Sequence, residues 1–156
     1  MRRLFFIVSL VTVAVLCCQC TTSKELRQAR KEARDVPYTE LQNYYVRNDV
    51  DATKLQRLII DNEADFNAFF GPAAVMGGMP TDINWKTQFV IAVVLPETDR
   101  TMNVFPKSVK QSPGNLIFEY TIIRGHKTGY RQVPFTAVVV NRAADAQELQ
   151  VFFIEK

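Results

Sequence analysis

The sequence predicts an α+β domain that is mostly β, with an antiparallel sheet curled into a small sandwich or barrel-like fold and one short helix. Many short runs rich in β-branched and aromatic residues are bounded by turn residues. One amphipathic helix pattern comes early, and none separates the later strands, which excludes repeated βαβ units. With 156 residues, 47% of them hydrophobic, the chain has room for one ordinary domain.

The first twenty residues are typical of a bacterial lipoprotein signal. Residues 1–17 are the predicted signal peptide, and the acylated cysteine follows it. A basic start precedes the apolar run Leu4–Leu16, whose thirteen residues are too few to cross a bilayer core of about 30 Å. All three cysteines follow at once, so neither a disulfide framework nor a zinc site explains them. We expect acylation of Cys18, with Cys20 as the alternative. An ordinary cleaved signal and an uncleaved anchor are the other interpretations.

Residues 18–37 are expected to form a lipid-attached tether ahead of a single domain over residues 38–156. Lys24–Asp35 has five basic and three acidic residues, which leaves 12 bases and 13 acids in residues 36–156. That near-neutral domain disfavours nucleic-acid binding. The pattern Thr22-x-x-Glu25 is a capping box that indicates the start of a short helix within the tether, but the apolar face of this helix is small. A solvated spacer is the favoured interpretation, and a basic segment on anionic headgroups is the alternative.

The folded part begins with strands at Leu41–Val46 and Leu55–Ile60, and one helix follows. Asn62 is the expected N-cap, and Gly71-Pro72 ends the helix. Its phenylalanines at positions 66, 69 and 70 form one apolar face, which predicts packing rather than a ligand site.

Five later strands follow in the second half of the chain. The uninterrupted apolar run Phe89–Leu95 predicts a strand that is buried on both faces. Ser112-Pro-Gly-Asn115 is a strong turn signal. The remaining predicted strands are Thr101–Phe105, Leu116–Ile123, Phe135–Val140 and Leu149–Ile154.

Motifs for catalysis are not found in the sequence. The single histidine, His126, has no nucleophile motif near it, and no phosphate-binding, dinucleotide or zinc-protease motif is present. The expectation is a protein without catalytic residues, cofactor or metal. The alternative is a hydrolase of envelope glycans that uses Glu97, Asp99 or Glu119 as its carboxylates.

Arg124–Gln132 is predicted to be a surface loop between two core strands. Gly125 and Gly129 would permit sharp turns, and tyrosine and arginine are favoured at protein interfaces. A plain solvated loop is the alternative, and Gly77–Pro80 is the next candidate for a binding loop. The predicted contacts, to an acidic partner surface, are Arg124, His126, Lys127, Tyr130 and Arg131.

The order of four segments resembles the C-terminal domain of the PrcB family, protease-complex-associated lipoproteins of Bacteroides-type bacteria. The segments are Glu63–Gly71, Pro80–Val94, Gly129-Tyr130 and Val133–Val140. The chain departs from the family pattern in having Ile83-Asn84-Trp85 before the buried strand and a single glycine before the tyrosine. The resemblance implies a β-rich, non-catalytic domain that binds or stabilises a protein partner, with a protease as the candidate. We expect it at the cell membrane or outer membrane, facing the periplasm.

Overall fold

The computed structural model describes residues 23–73, 78–142 and 149–156. The predicted signal and its three cysteines lie outside the described residues. In chain order the elements are α1 (residues 23–32), β1 (Arg34–Asp35), β2 (Tyr38–Glu40), β3 (Tyr44–Val46), β4 (Gln56–Ile60), α2 (Glu63–Phe69), β5 (Phe70–Pro72), β6 (Gln88–Val94), β7 (Thr98–Ser112), β8 (Asn115–Gln132), β9 (Phe135–Asn141) and β10 (Gln150–Glu155).

Two four-stranded sheets pack face to face. Sheet A has the strand order β1-β7-β8-β10, and sheet B has the order β2-β9-β6-β4. A small third sheet pairs β3 with β5. The strands pair antiparallel, except that β10 runs parallel to β8. The predicted mostly β sandwich is therefore confirmed, and no closed barrel forms among the described residues.

β6 is the centre of sheet B and is buried on both faces, as its apolar sequence predicts. Ile91 and Val93 face sheet A, where they pack against Phe118 of β8. Val90 and Ala92 face the opposite side of sheet B, where β3, α2 and β5 cover them. A strand with apolar layers on both sides needs no polar alternation, and this explains the continuous run FVIAVV.

The outer face of sheet B is covered by α2 and the small β3–β5 sheet. Asn62 caps α2, and its Oδ1 accepts a hydrogen bond from the Asp65 N–H at 2.9 Å. Phe66 packs on Phe70 and Trp85, with ring centroids 5.2 and 5.4 Å apart. The predicted cap, helix and aromatic packing are therefore confirmed, but the helix ends at Phe69, earlier than predicted, and Phe70 packs from β5 rather than from the helix.

The outer face of sheet A is covered by α1, which is a correction of two predictions. The described part of the chain has two helices rather than one, and residues 23–36 do not form a solvated spacer. Ala29 is 3% exposed and packs on Ile117 and Phe152. Beyond the helix, β1 pairs with β7, and the Val36 N–H donates to Val109 O at 2.8 Å. The folded domain therefore begins before residue 38.

β7 and β8 form one long ribbon, and the ribbon corrects a third prediction. Its tight turn is at Pro113-Gly114, where the predicted turn lies and where Gly114 has a φ of 72° that favours glycine. The segment Arg124–Gln132, predicted as a loop, instead continues β8 to the other end of the ribbon. The strands stay paired there because β7 is itself longer than predicted and begins at Thr98.

Neither described helix is both long and apolar enough to span a bilayer.

Candidate functional site

The far end of the β7–β8 ribbon, which we call the ribbon base, consists of residues 98–103 of β7 and residues 123–132 of β8. All five predicted partner-binding residues lie on it and are exposed. The register is irregular, because two steps along β7 from Arg100 to Thr98 correspond to five steps along β8 from Lys127 to Gln132. The extra residues form a bulge, and Tyr130, 63% exposed, lies within it.

The two glycines of the ribbon base do not make the sharp turns that the sequence predicted. Among the described glycines, Gly114 alone has a positive φ. At Gly125, an added Cβ would lie 3.2 Å from the Thr101 Cβ, so this glycine allows a close approach of β8 to β7. Gly129 has open space where a Cβ would be, within the bulge.

Each of the three predicted cationic contacts is paired with a carboxylate of the same chain. Arg124 Nη2 lies 3.1 Å from Glu155 Oε1, and Lys127 Nζ lies 3.0 Å from Asp99 Oδ2. Arg131 Nη1 lies 2.7 Å from Glu97 Oε2. Two of the carboxylates proposed for hydrolysis, Glu97 and Asp99, are therefore ion-pair partners of cations that were predicted to contact a protein partner.

Side-chain hydrogen bonds to backbone carbonyls of β7 and β8 hold the bulge in place. The Thr128 hydroxyl lies 2.8 Å from Asp99 O and 2.7 Å from Tyr130 O, within hydrogen-bonding distance of both carbonyls. The Gln132 side-chain amide donates to Arg100 O at 2.8 Å. The bulge is therefore held on a two-stranded scaffold rather than on a free loop.

An open cleft of about 630 Å³ adjoins the ribbon base. One wall is the turn over residues 47–53, where Arg47 and Asp49 form a two-point ion pair with both distances 3.0 Å. The other wall is formed by Pro96, Glu97 and Val133. Glu97 connects the cleft to the ribbon base, since it lines the cleft and pairs with Arg131.

Two of the carboxylates proposed for hydrolysis, Asp99 and Glu119, have lowered pKa values rather than the raised value that a general acid needs. The hydrogen bond and charge of Lys127 hold the pKa of Asp99 below its ordinary value. Burial acts to raise the pKa of Glu119, but hydrogen bonds from Lys156 and Ser108 and nearby positive charges outweigh it, so that this pKa is also lowered.

Glu119 also lies apart from the ribbon base in its contacts. It accepts a hydrogen bond from Ser108 at 3.1 Å and pairs with Lys156 at 3.1 Å and with Arg30 of α1 at 3.8 Å. Its role in the described structure is to tie α1 and the C-terminus to sheet A.

Metal-ligating side chains do not cluster in the part of the chain that the structure describes: no three His, Cys, Asp or Glu residues there come together as a possible site. The second candidate loop, Gly77–Pro80, is described only from residue 78, where the Asn43 amide donates to Met79 O at 2.9 Å.

The cleft is the feature that sequence reasoning missed. Its walls come from a turn-like stretch around residue 50 and from residues near positions 97 and 133, and no local pattern links them. Glu97 and Arg131 are 34 positions apart in the sequence. They meet because Glu97 lies between β6 and β7, and the end of β8 that carries Arg131 pairs with the start of β7.

No protein-family model, curated protein or solved structure matches the chain.

Proposed function

We propose that this chain is a non-catalytic lipoprotein of the cell envelope that binds or stabilises a protein partner through the ribbon base. The observation that carries the proposal is the exposed bulge with Tyr130 on a braced two-stranded scaffold. Large aromatic side chains on rigid elements supply contact area with little loss of conformational entropy. The candidate partner is a protease, and this choice rests on the resemblance to the PrcB family alone.

The charges of the ribbon base change the kind of contact expected. Four cations in and beside it face three carboxylates, so its net charge is small: Arg100, Arg124, Lys127, Arg131 against Glu97, Asp99, Glu155. We therefore expect the contact to depend on Tyr130 and on the cleft beside it more than on attraction to an acidic partner. Its salt dependence should be weak, because paired surface charges contribute little.

The hydrolase alternative receives less support from the geometry. A glycosidase needs one carboxyl that is protonated near neutral pH and a second at a set distance. Asp99 and Glu119 have lowered pKa values, and Glu97 is engaged with Arg131 at 2.7 Å. These carboxylates are more simply explained as ion-pair partners.

The partner contact is tested by affinity capture from membranes with the double variant Tyr130→Ala and Arg131→Ala. We expect loss of the captured partner with an unchanged melting temperature, since both side chains are exposed. The matched control is Leu55→Ala with Arg57→Ala, which removes an exposed apolar residue and an exposed arginine from the β4 edge. Retention of every partner by the ribbon-base variant, or equal losses in both variants, would contradict the proposal.

Lipid attachment is tested separately by metabolic labelling with a fatty-acid probe. We expect label on the parent chain and none on the double variant Cys18→Ala and Cys20→Ala. An unlabelled parent whose membrane fractionation is unaffected by the double variant would exclude the lipoprotein assignment. The single variants decide which cysteine is acylated.

A further inference from the structure

Charge is divided between the two sides of the sandwich. The side of sheet A, residues 23–35, 98–132 and 149–156, has 12 Lys and Arg against 6 Asp and Glu, a net charge of +6. The side of sheet B, residues 36–73, 78–97 and 133–142, has 5 against 8, a net charge of −3. The near-neutral total therefore hides a molecule with one basic and one acidic side.

α1 is the outermost layer of the basic side, and three of its basic residues share one exposed face. Ala29 faces sheet A. At 100° per residue, Lys24, Arg27 and Lys31 fall on the opposite side of the helix, and all three are exposed. We call these three residues the α1 ridge.

The acidic residues of α1 are displaced from that ridge. Glu25 and Glu32 fall on one flank of the helix, where Glu32 accepts a hydrogen bond from Gln28. The ridge therefore presents three cations with no carboxylate on the outward line between them. Such a line suits a surface of many negative charges better than a single carboxylate ligand.

The rigid docking of α1 limits how far the domain can be from a membrane. If Cys18 is acylated as proposed above, five residue steps separate it from residue 23, where α1 is already helical. A fully extended chain covers at most about 3.6 Å per residue, or about 18 Å in all. The start of α1 must then lie close to the headgroups.

We infer that the α1 ridge binds anionic phospholipid headgroups and thereby orients the domain, with sheet A toward the membrane and sheet B with α2 away from it. This inference rests on the proposed lipid anchor, which supplies the proximity, while the basic ridge supplies the orientation. Because each base near an anionic surface contributes about 1 kcal/mol, three bases favour an anionic over a neutral surface roughly a hundredfold.

The experiment uses the acylated chain in vesicles of phosphatidylcholine, with or without phosphatidylglycerol. An environment-sensitive fluorophore is attached at Gln28→Cys beside the ridge or, as the control, at Met79→Cys, which is 87% exposed on the side of sheet B. Both chains carry Cys20→Ser so that the label has one site. We expect the probe at position 28 to shift its emission only in anionic vesicles and to lose the shift in high salt, while position 79 stays unchanged.

Two triple variants with equal loss of charge separate the ridge from general electrostatics. Lys24→Gln, Arg27→Gln and Lys31→Gln should abolish the response at position 28. Lys54→Gln, Arg57→Gln and Lys86→Gln, which remove three cations from the side of sheet B, should leave it intact. Equal responses at positions 28 and 79, or equal effects of the two triple variants, would overturn the inference.

Flotation of the same samples distinguishes this inference from the proposed anchor. An acylated chain should float with both kinds of vesicle whatever the ridge does. A chain that floats but shows no response at position 28 retains its anchor and loses the proposed orientation. A chain that does not float contradicts the anchor itself, and the orientation falls with it.

Discussion

On the outer face of sheet B, α2 contributes Phe66 to an aromatic cluster, whereas on the outer face of sheet A, α1 contributes Ala29 to a small apolar patch. Phe66 contacts the rings of Tyr44, Phe70 and Trp85. Ala29 instead packs against Ile117 and Phe152 of the sheet. The contact of α2 is made by a large residue on the helix, whereas the contact of α1 is made by large residues on the sheet. We therefore expect α2 to be part of the cooperative core and α1 to be separable from it.

The largest effect is expected from Phe66→Ala. The substitution leaves a cavity among three rings and should reduce the free energy of unfolding by about 3–5 kcal/mol. Denaturant unfolding followed by circular dichroism measures the loss. Asn67→Ala, on the exposed side of the same helix, is the control and should change little. A near-normal unfolding midpoint for Phe66→Ala would show that α2 is not part of the core.

A smaller effect is expected from Ala29→Glu. A carboxylate has no partner between α1 and Ile117, so the helix should detach from sheet A at a cost of about 1–3 kcal/mol. Hydrogen exchange should become faster over residues 23–32 and stay slow in β6. Gln28→Glu adds the same charge on the exposed side; it replaces the hydrogen bond to Glu32 with a like-charge pair that costs only about 0.5 kcal/mol, so exchange should change far less. Faster exchange throughout β6 would mean that the two helices are equally integral.

Removal of the α2 cap with Asn62→Ala should cost about 1 kcal/mol, because the Asp65 N–H loses its side-chain acceptor. Thermal unfolding measures the change. Asn62→Asp retains an acceptor oxygen at the cap and should restore most of the loss. An alanine variant as stable as the parent would show that water replaces the cap without cost.

The smallest effect concerns pH and the attachment of α1 through Glu119. Its pKa is lowered in the folded state, so its contribution to stability is complete above the ordinary value of 4.5 and is lost as pH falls through the lowered pKa. The difference in unfolding free energy between the parent and Glu119→Gln should therefore shrink as pH falls from about 6 to about 3. A constant difference across that range would mean that the charge of Glu119 contributes nothing.

Local sequence was sufficient for the parts of the fold whose residues carry their own packing surface. The continuous apolar run of β6, the aromatic face of α2 with its Asn62 cap, and the Pro113-Gly114 turn each follow from neighbouring residues. α1 could not be predicted to dock in the same way, since its apolar face is small and the large partners, Ile117 and Phe152, are about ninety residues or more away in sequence.

The candidate site shows the same division. Exposure of Tyr130 and the charged neighbours was readable from the sequence, because polar and glycine-rich segments are rarely buried. Strand pairing of that segment was not readable, since it depends on the early start of β7 at Thr98 and on the bulge opposite Arg100. The pairing of Arg131 with Glu97 likewise depends on the course of the whole ribbon.

The sequence by itself determined a mostly β domain, its buried central strand and its aromatic helix, while the lipoprotein signal at the N-terminus stays a prediction. Only the tertiary structure decided that residues 23–36 belong to the domain, that the predicted loop is a bulged strand, and that basic and acidic residues divide between the two sides. The physical reason is the separation in sequence between the residues that interact. Periodicity, caps and turns act over a few residues, whereas the docking of α1, the ribbon register and the separation of charge arise from contacts between distant segments.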